Sequence, residues 1–270
     1  MNLKKLTLTF FCLFPFNLIA AEYSFGVVPQ FEARKLYSIW LPILKVLKQK
    51  TGHDFKMHGT ESIRQFETEF TLGSYDFAYM NPWHSLLAFE KQGYVPLVKD
   101  GARKLKGILV THKDSAIKNI SQLEGKKVAF PSPNALGASL LVRAELMQKG
   151  ISIKPVYLGT HTAVYLDTAL KLVSGGGGVL ATFSNQKFQV QDVLNIIYET
   201  QSIAPHPVSV HPRVSKEVIN QVKQAFLEMS NEPEYQKLLA HIPMKKAVVA
   251  RQEDYSPLKK MGLEHFYVKD

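Results

Sequence analysis

Residues 75–83 read YDFAYMNPW, a run of aromatic and small apolar residues followed at once by a helix start. The first half, up to Met80, is typical of a buried β-strand. Asn81 then offers a polar cap, and Pro82 a ring suited to the first helical position, so we predict a helix from Trp83. A strand that leads directly into a helix is the repeating unit of α/β proteins with mostly parallel sheets.

The same unit occurs on both sides of this stretch. Towards the N-terminus, a strand-like run at 23–28 precedes an amphipathic helix at about 34–50. Towards the C-terminus, strands are predicted at 126–130 and 155–158, and a helix follows each of them. The whole chain is therefore predicted to be α/β.

The middle of the chain is predicted to be inserted into an outer part. The four glycines at 175–178 predict a flexible connection that leads into a strand at 179–182. No low-complexity linker separates two independent halves, and the chain is predicted to cross between its parts near 106–111 and 202–210. The predicted boundaries are 22–106 and 206–270 for an outer lobe and 107–205 for an inner lobe.

Residues 1–21 have the pattern of a secretory signal. Two early lysines precede an apolar run at 6–19, and Ala20 and Ala21 supply small residues for cleavage. The run is too short and interrupted to span a membrane, which takes about 20 apolar residues. Cys12, the one cysteine, lies inside it, so we expect no thiol or disulfide chemistry in the mature protein. We predict a periplasmic protein that does not span the membrane.

The charge favours a small anionic ligand over nucleic acid. The formal net charge is +10, and it falls to +8 when the two lysines of the signal are removed. The lysines are scattered, and no arginine-rich stripe with interleaved aromatic residues appears, so the pattern does not indicate nucleic-acid binding. The remaining length of about 250 residues is compatible with two lobes.

Several predicted strands end at polar residues that begin a helix. Free N–H groups and the positive end of the helix dipole suit a phosphate or carboxylate at such positions. The alternative for each junction is a simple helix cap, and His161 could equally be a packed core histidine. The predicted ligand contacts are Ser132, Asn134, Thr160, His161 and Thr162 on the inner lobe, with Tyr79, Asn81 and Trp83 on the outer lobe.

No catalytic motif is present in the sequence. It contains no Gly-x-Ser-x-Gly elbow, no His-Glu-x-x-His pair, no phosphate-binding loop ending in Gly-Lys-Ser/Thr and no Gly-x-Gly-x-x-Gly. His206 and His211 are a poor metal pair without carboxylate or thiolate partners. We therefore predict a binding protein without a metal, cofactor or enzymatic activity.

Five short motifs resemble one known family along nearly the whole mature chain. The phosphate/phosphite/phosphonate-binding proteins of ABC importers, with the type II periplasmic binding fold, share their order and spacing. The resemblance implies two lobes, each a mostly parallel sheet flanked by helices, which are joined by two crossing strands and close over a ligand. The motifs are FGVVP at 25–29, Trp40-x-Pro42, YDFA at 75–78 leading to Asn81-Pro82, GKKVAF at 125–130 and GTH at 159–161.

Only some of the family's ligand contacts have counterparts in this sequence. The family histidine after the Gly-Ser/Thr turn corresponds to His161, whereas the family's Ser-Thr-Ser-Gly cradle is replaced by SPNALGAS at 132–139. Met80 stands where the family has a tyrosine. We predict a monomer that delivers a small oxyanion to an ABC permease. The alternatives are a ligand-sensing subunit of a membrane signalling protein, and a hydrolase or transferase that uses His161 as a base.

Overall fold

The computed structural model describes residues 21–269 and contains two mixed β-sheets flanked by helices. The predicted signal segment, apart from Ala21, lies outside the described residues, as does Cys12. The strands are β1 Glu22–Val27, β2 Asp54–Gly59, β3 Phe77–Tyr79, β4 Val95–Asp100, β5 Gly107–His112, β6 Lys127–Phe130, β7 Lys154–Tyr157, β8 Gly175–Val179, β9 Leu194–Glu199, β10 Val208–Val210 and β11 Ala247–Val249. The helices are α1 Ala33–Thr51, α2 Ile63–Thr71, α3 Pro82–Gln92, α4 Leu141–Gln148, α5 His161–Ala169, α6 Leu180–Ser184, α7 Phe188–Asp192, α8 Lys216–Met229 and α9 Pro233–Leu239.

Each sheet combines a parallel part with antiparallel strands. The outer-lobe sheet has the order β11-β4-β10-β3-β1-β2, and its β2, β1 and β3 are parallel. The inner-lobe sheet has the order β7-β6-β8-β5-β9, and its β7, β6 and β8 are parallel. Two crossing segments join the sheets and pair with each other at Leu105 and Ile203. The α/β, two-lobed fold is confirmed, while the exact lobe boundaries stay a prediction. Among residues 21–269, no helix is long and apolar enough to span a membrane.

The glycine run is a central strand, not the flexible connection expected from the sequence. A Cβ on Gly177 would lie 2.3 Å from the Ala138 carbonyl oxygen, and one on Gly178 would lie 2.0 Å from Tyr165 Oη. The neighbours of β8 therefore come so close that only glycine fits there. The strand predicted at 179–182 is also wrong, because the chain turns into helix α6 after Val179.

The apolar core of the outer lobe continues into the inner lobe. The helix predicted to follow the strand at 126–130 begins as a π-helical turn, Leu136–Leu140, before α4. Ala135, Leu136 and Val179 of the inner lobe are buried in the same hydrophobic cluster as Met80 of the outer lobe. The two lobes are therefore in apolar contact where their helix starts meet.

Candidate functional site

A cavity of about 680 Å³ lies between the lobes beside the crossing segments. Residues of both lobes and of both crossing segments line it, and helix α6 forms its inner-lobe wall. We call it the hinge-side cavity. Its polar lining includes Gln30, Arg103, Lys104, Lys106, Asn185 and His206.

The lining of the hinge-side cavity carries more positive than negative charge. Lys106 pairs with Glu199 at 2.7 Å, and both side chains are partly open to solvent. Arg103 and Lys104 also line the cavity but form no ion pair within residues 21–269. Two cations are therefore left without a direct ion-pair partner at this cavity, although Lys104 lies near enough to Asp254 to help lower the pKa of that carboxyl.

A bond between the lobes closes one edge of the hinge-side cavity. The Lys35 ammonium, on helix α1, donates to the Asn185 carbonyl oxygen at 3.2 Å. Lys35 also lies 4.0 Å from the centre of the Phe31 ring. Because Lys35 belongs to the outer lobe and Asn185 to the inner lobe, the cavity is held in a closed form at this edge.

Buried histidines lie in and behind the cavity wall. His206 lines the cavity and stacks on Tyr79 with 5.4 Å between the ring centres. Burial, together with smaller effects of the nearby His84 and His161, lowers the pKa of His206 to about 3. Burial alone lowers the pKa of His161 to about 4. His161 and His206 are therefore neutral at neutral pH.

His161 is tied to the helix that forms the inner-lobe wall. Its Nδ1 forms a 3.1 Å hydrogen bond with Thr182 Oγ1 in helix α6. Thr182 is also hydrogen-bonded to the Tyr165 hydroxyl at 2.8 Å. Because Leu180 and Ala181 of the same helix line the cavity, His161 helps to position the wall.

Away from the hinge, buried polar groups join the two lobes directly. Glu67 of the outer lobe is only 5% exposed, and its carboxylate accepts a 2.9 Å hydrogen bond from Asn134 Nδ2 of the inner lobe. The other oxygen of Glu67 lies 2.8 Å from His84 Nε2. Asn134 also exchanges two 2.9 Å hydrogen bonds with the backbone of Val268. We call Glu67, His84, Asn134 and Val268 the interlobe seam.

The C-terminal segment ties the seam to the outer lobe. It is anchored there by the buried Leu263 and by a 2.6 Å ion pair between Lys259 and Glu90. It then reaches the inner lobe, where Arg143 donates to the Phe266 carbonyl oxygen at 3.0 Å. Opening the lobes on this side must break these contacts or pull the segment off one lobe.

The predicted outer-lobe contacts are placed in different surroundings. Asn81 caps helix α3 by accepting a 2.8 Å hydrogen bond from the backbone of His84. Tyr79 is buried behind His206. Trp83 lies 6.3 Å from the Tyr267 ring, and its buried Nε1 has no hydrogen-bond partner within residues 21–269. Trp83 therefore keeps a free donor.

The predicted inner-lobe contacts lie mostly at helix and turn starts. Thr160 caps helix α5, with its hydroxyl accepting from the Ala163 N–H at 3.1 Å. The Ser132 hydroxyl accepts from the Asn134 N–H at 3.3 Å, and Thr162 is half-buried in the first turn of α5. None of the eight predicted contacts is among the residues that line the hinge-side cavity.

Sequence reasoning missed Glu67, His206 and Arg103 as site residues. His206 was considered only as a metal ligand, although its position in a crossing segment indicates a place between the lobes. Glu67 lies in an ordinary amphipathic helix, α2, and carries no sequence signal. Arg103 does carry a sequence signal, because it begins a basic run next to a crossing segment.

Two lobes, two crossing segments and a cavity between them define the class of two-lobed solute-binding proteins. Solved structures share this fold. One is a binding protein component of an ABC phosphonate transporter from Pseudomonas aeruginosa, at 18% identity and a TM-score of 0.81, covering 90% of this chain and 85% of that one. Another, from Prochlorococcus marinus, is in complex with methylphosphonate, at 15% identity and a TM-score of 0.82, covering 90% and 98%. A third, from Xanthomonas citri, is bound to ATP, at 15% identity and a TM-score of 0.72, covering 91% and 98%.

The particular family follows from the sequence match. Residues 25–255 match the family described as "ABC transporter, phosphonate, periplasmic substrate-binding protein". The chain belongs to this family, so it is a substrate-binding protein that captures a solute for an ABC permease. The family resemblance inferred from the motifs is confirmed.

Proposed function

We propose that the protein binds a small organic phosphate or phosphonate in the hinge-side cavity and delivers it to an ABC permease. The observation that carries this proposal is the pair of cations, Arg103 and Lys104, that line an interlobe cavity without a direct ion-pair partner among the described residues. An anion bound there gains charge-assisted hydrogen bonds from donors that are otherwise unmatched.

The size of the cavity favours an oxyanion with an organic substituent. Its volume of about 680 Å³ lies within the range of roughly 300–1,000 Å³ that is usual for small-molecule sites. Leu180, Ala181 and Pro205 provide apolar lining beside the polar groups. The relatives bound to methylphosphonate and to ATP support a phosphorus oxyanion as the ligand class.

The interlobe seam is a poor place for the anion because a carboxylate of the protein already accepts the hydrogen bonds there. Glu67 accepts the hydrogen bond that Asn134 would otherwise donate to a ligand. A second anion beside this buried carboxylate would be repelled. Asn134 is therefore a bridge between the lobes in the closed form, and the ligand is left to the hinge-side cavity.

Among the contacts predicted from the sequence, Thr160, His161 and Thr162 retain a supporting part. His161 holds helix α6 through Thr182, and α6 forms one cavity wall. A neutral His161 adds no charge, so the proposed attraction for the anion comes from Arg103 and Lys104. Ser132, Tyr79, Asn81 and Trp83 are proposed to shape the closed interface between the lobes.

Isothermal titration calorimetry of the purified protein with methylphosphonate, phosphate, phosphite, AMP and sulfate tests the proposal. We expect binding of at least one phosphorus oxyanion and a loss of about tenfold in affinity in the Arg103→Ala/Lys104→Ala variant. A matched control, Lys56→Ala/Lys216→Ala, removes the same charge from the exposed outer-lobe surface and should retain the affinity. Equal losses in both variants, or binding of neutral compounds only, would overturn the proposal.

The proposal also covers catalysis, export and assembly. We propose a monomer that is exported through the predicted signal at 1–21 and that does not turn over its ligand. The hydroxyl next to His161 belongs to Thr182, which is buried and donates its proton to the Val179 carbonyl oxygen, so it is not placed to attack a ligand. Phosphoester hydrolysis that disappears in a His161→Ala variant would contradict the absence of catalysis. The sensing role stays an alternative, which co-purification with a membrane signalling protein instead of a permease would favour.

A further inference from the structure

A second cavity, of about 400 Å³, lies at the edge of the inner lobe that is farthest from the ligand cleft. The parallel strands β6, β7 and β8 start at this edge, and the antiparallel β5 ends there at His112. The strands' opposite ends point towards the other lobe. This second cavity is therefore separate from the hinge-side cavity.

The lining of the second cavity is strongly basic. It contains four lysines and one histidine and no aspartate or glutamate. Lys171 and His112 share Asp114 at 3.6 and 3.7 Å. The other three lysines form no ion pair within the described part of the chain: Lys126, Lys127 and Lys154.

An exposed apolar loop borders the same cavity. Leu170 is 67% exposed and Leu172 is 65% exposed, and they flank Lys171. Lys171 has a φ of 61°, and it is the only non-glycine residue with a positive φ in residues 21–269. A lysine in the left-handed region is disfavoured, and such strain is concentrated at functional sites. The loop thus keeps two large apolar side chains in solvent next to four lysines.

Unpaired lysines together with exposed leucines fit an anionic membrane surface better than they fit a soluble anion. A free phosphate would pair with the lysines but leave the leucines in water. A bilayer satisfies both, because lipid phosphates attract the lysines and the interfacial region accepts the leucines. Charge complementarity and exposed apolar area therefore point to the same occupant.

We propose that this lysine–leucine surface, made of Lys126, Lys127, Lys154, Leu170, Lys171 and Leu172, binds the anionic phospholipid headgroups of a membrane. The contact holds the inner lobe at the membrane surface while the cleft between the lobes stays accessible. It does not depend on which ligand the hinge-side cavity binds.

Vesicle flotation of the purified protein tests this proposal. We expect binding to phosphatidylcholine vesicles that contain phosphatidylglycerol, little binding to phosphatidylcholine alone, and release as salt is raised. The triple variant Lys126→Ala/Lys127→Ala/Lys154→Ala should bind about a hundredfold more weakly. The variant Leu170→Ser/Leu172→Ser should also bind more weakly, although it keeps every charge.

A control variant distinguishes an effect of the lysine–leucine surface from an effect of the protein's overall charge. The triple variant Lys56→Ala/Lys216→Ala/Lys237→Ala removes the same charge from exposed positions of the outer lobe and should bind vesicles normally. Circular dichroism should show the same fold for all variants, since every substituted side chain is exposed. The proposal is overturned if the control loses as much binding as the first triple variant. Undiminished binding of the leucine variant would also overturn it, since that indicates a phosphate site without membrane insertion.

Discussion

The interlobe seam and the hinge-side cavity lie between the same two lobes, but they differ in whether their charged side chains are paired with groups of the protein. In the seam, the Glu67 carboxylate is bound on both oxygens by groups of the protein. In the cavity, Arg103 and Lys104 have no direct ion-pair partner among the described residues. A protein that has to recognise an anion must leave donors unmatched until the anion arrives. The difference therefore favours the hinge-side cavity over the interlobe seam as the ligand site.

The seam also explains how closure can occur without the family's phosphonate cradle. The cradle positions hold SPNALGAS, and of these Ala135 and Leu136 are buried in the cluster shared by both lobes. Asn134 bonds to Glu67 and Val268. Groups of the protein thus bind one another at these positions.

The largest expected effect comes from breaking the seam. Asn134→Ala leaves one oxygen of the Glu67 carboxylate and the Val268 backbone without their hydrogen bonds, so unfolding free energy should fall by about 3 kcal/mol. Urea denaturation measures this loss, and small-angle scattering should show a larger radius of gyration because the lobes are less firmly held.

Ser132→Ala is the matched control for the seam. Ser132 lies in the same turn but accepts one half-buried hydrogen bond, so its removal should cost less than about 1 kcal/mol. If Asn134→Ala costs no more than Ser132→Ala, then the seam does not stabilise the closed form.

The next effect concerns the buried histidines around the cavity. His161 and His206 have folded-state pKa values of about 4 and about 3, below the ordinary value of 6.5. Between its folded-state pKa and the ordinary value of 6.5, each histidine binds more protons in the unfolded chain than in the folded one. The stability contributed by its burial is therefore fully present above pH 6.5 and is lost as the pH is lowered. Each histidine should contribute about 1.4 kcal/mol per pH unit to this loss.

Thermal and urea unfolding between pH 7 and pH 4 measure the slope. His161→Gln and His206→Gln should each make it shallower. A slope that both buried-histidine variants retain would mean that the cavity wall is open to water.

A smaller effect tests the charge of the cavity. Glu199 is the acidic partner of Lys106, and this pair is partly exposed, so it is worth little to stability. Glu199→Gln frees a third cation and should raise the affinity for a phosphorus oxyanion about threefold, with unfolding free energy changed by less than about 0.5 kcal/mol. Calorimetry at low salt measures the affinity. A loss of affinity would show that Glu199 itself binds the ligand.

Much of the fold could be predicted because its signals are local. Asn81-Pro82 begins helix α3 as predicted, and the helix predicted at about 34–50 forms as α1. The glycine strand β8 could not be predicted, since the close approach of Phe130 and Tyr165 that demands glycine is made by distant parts of the chain. The short strand β11 likewise depends on pairing with β4.

The candidate site was less predictable for the same reason. The sequence identifies residues that follow strands, and the structure places His161 next to the cavity wall. It cannot show that Glu67, from an unremarked helix, meets Asn134 across the lobes. Nor can it show that Arg103 lacks an acidic partner, because that depends on which side chains fold around it.

The most direct test of the account is a crystal structure of the protein grown with an organic phosphonate or phosphate that calorimetry shows to bind. We expect the phosphorus oxyanion to lie in the hinge-side cavity within hydrogen-bond distance of Arg103 or Lys104, with the Glu67–Asn134 bond intact. An oxyanion bound at Asn134 in place of Glu67 and Val268 would contradict it.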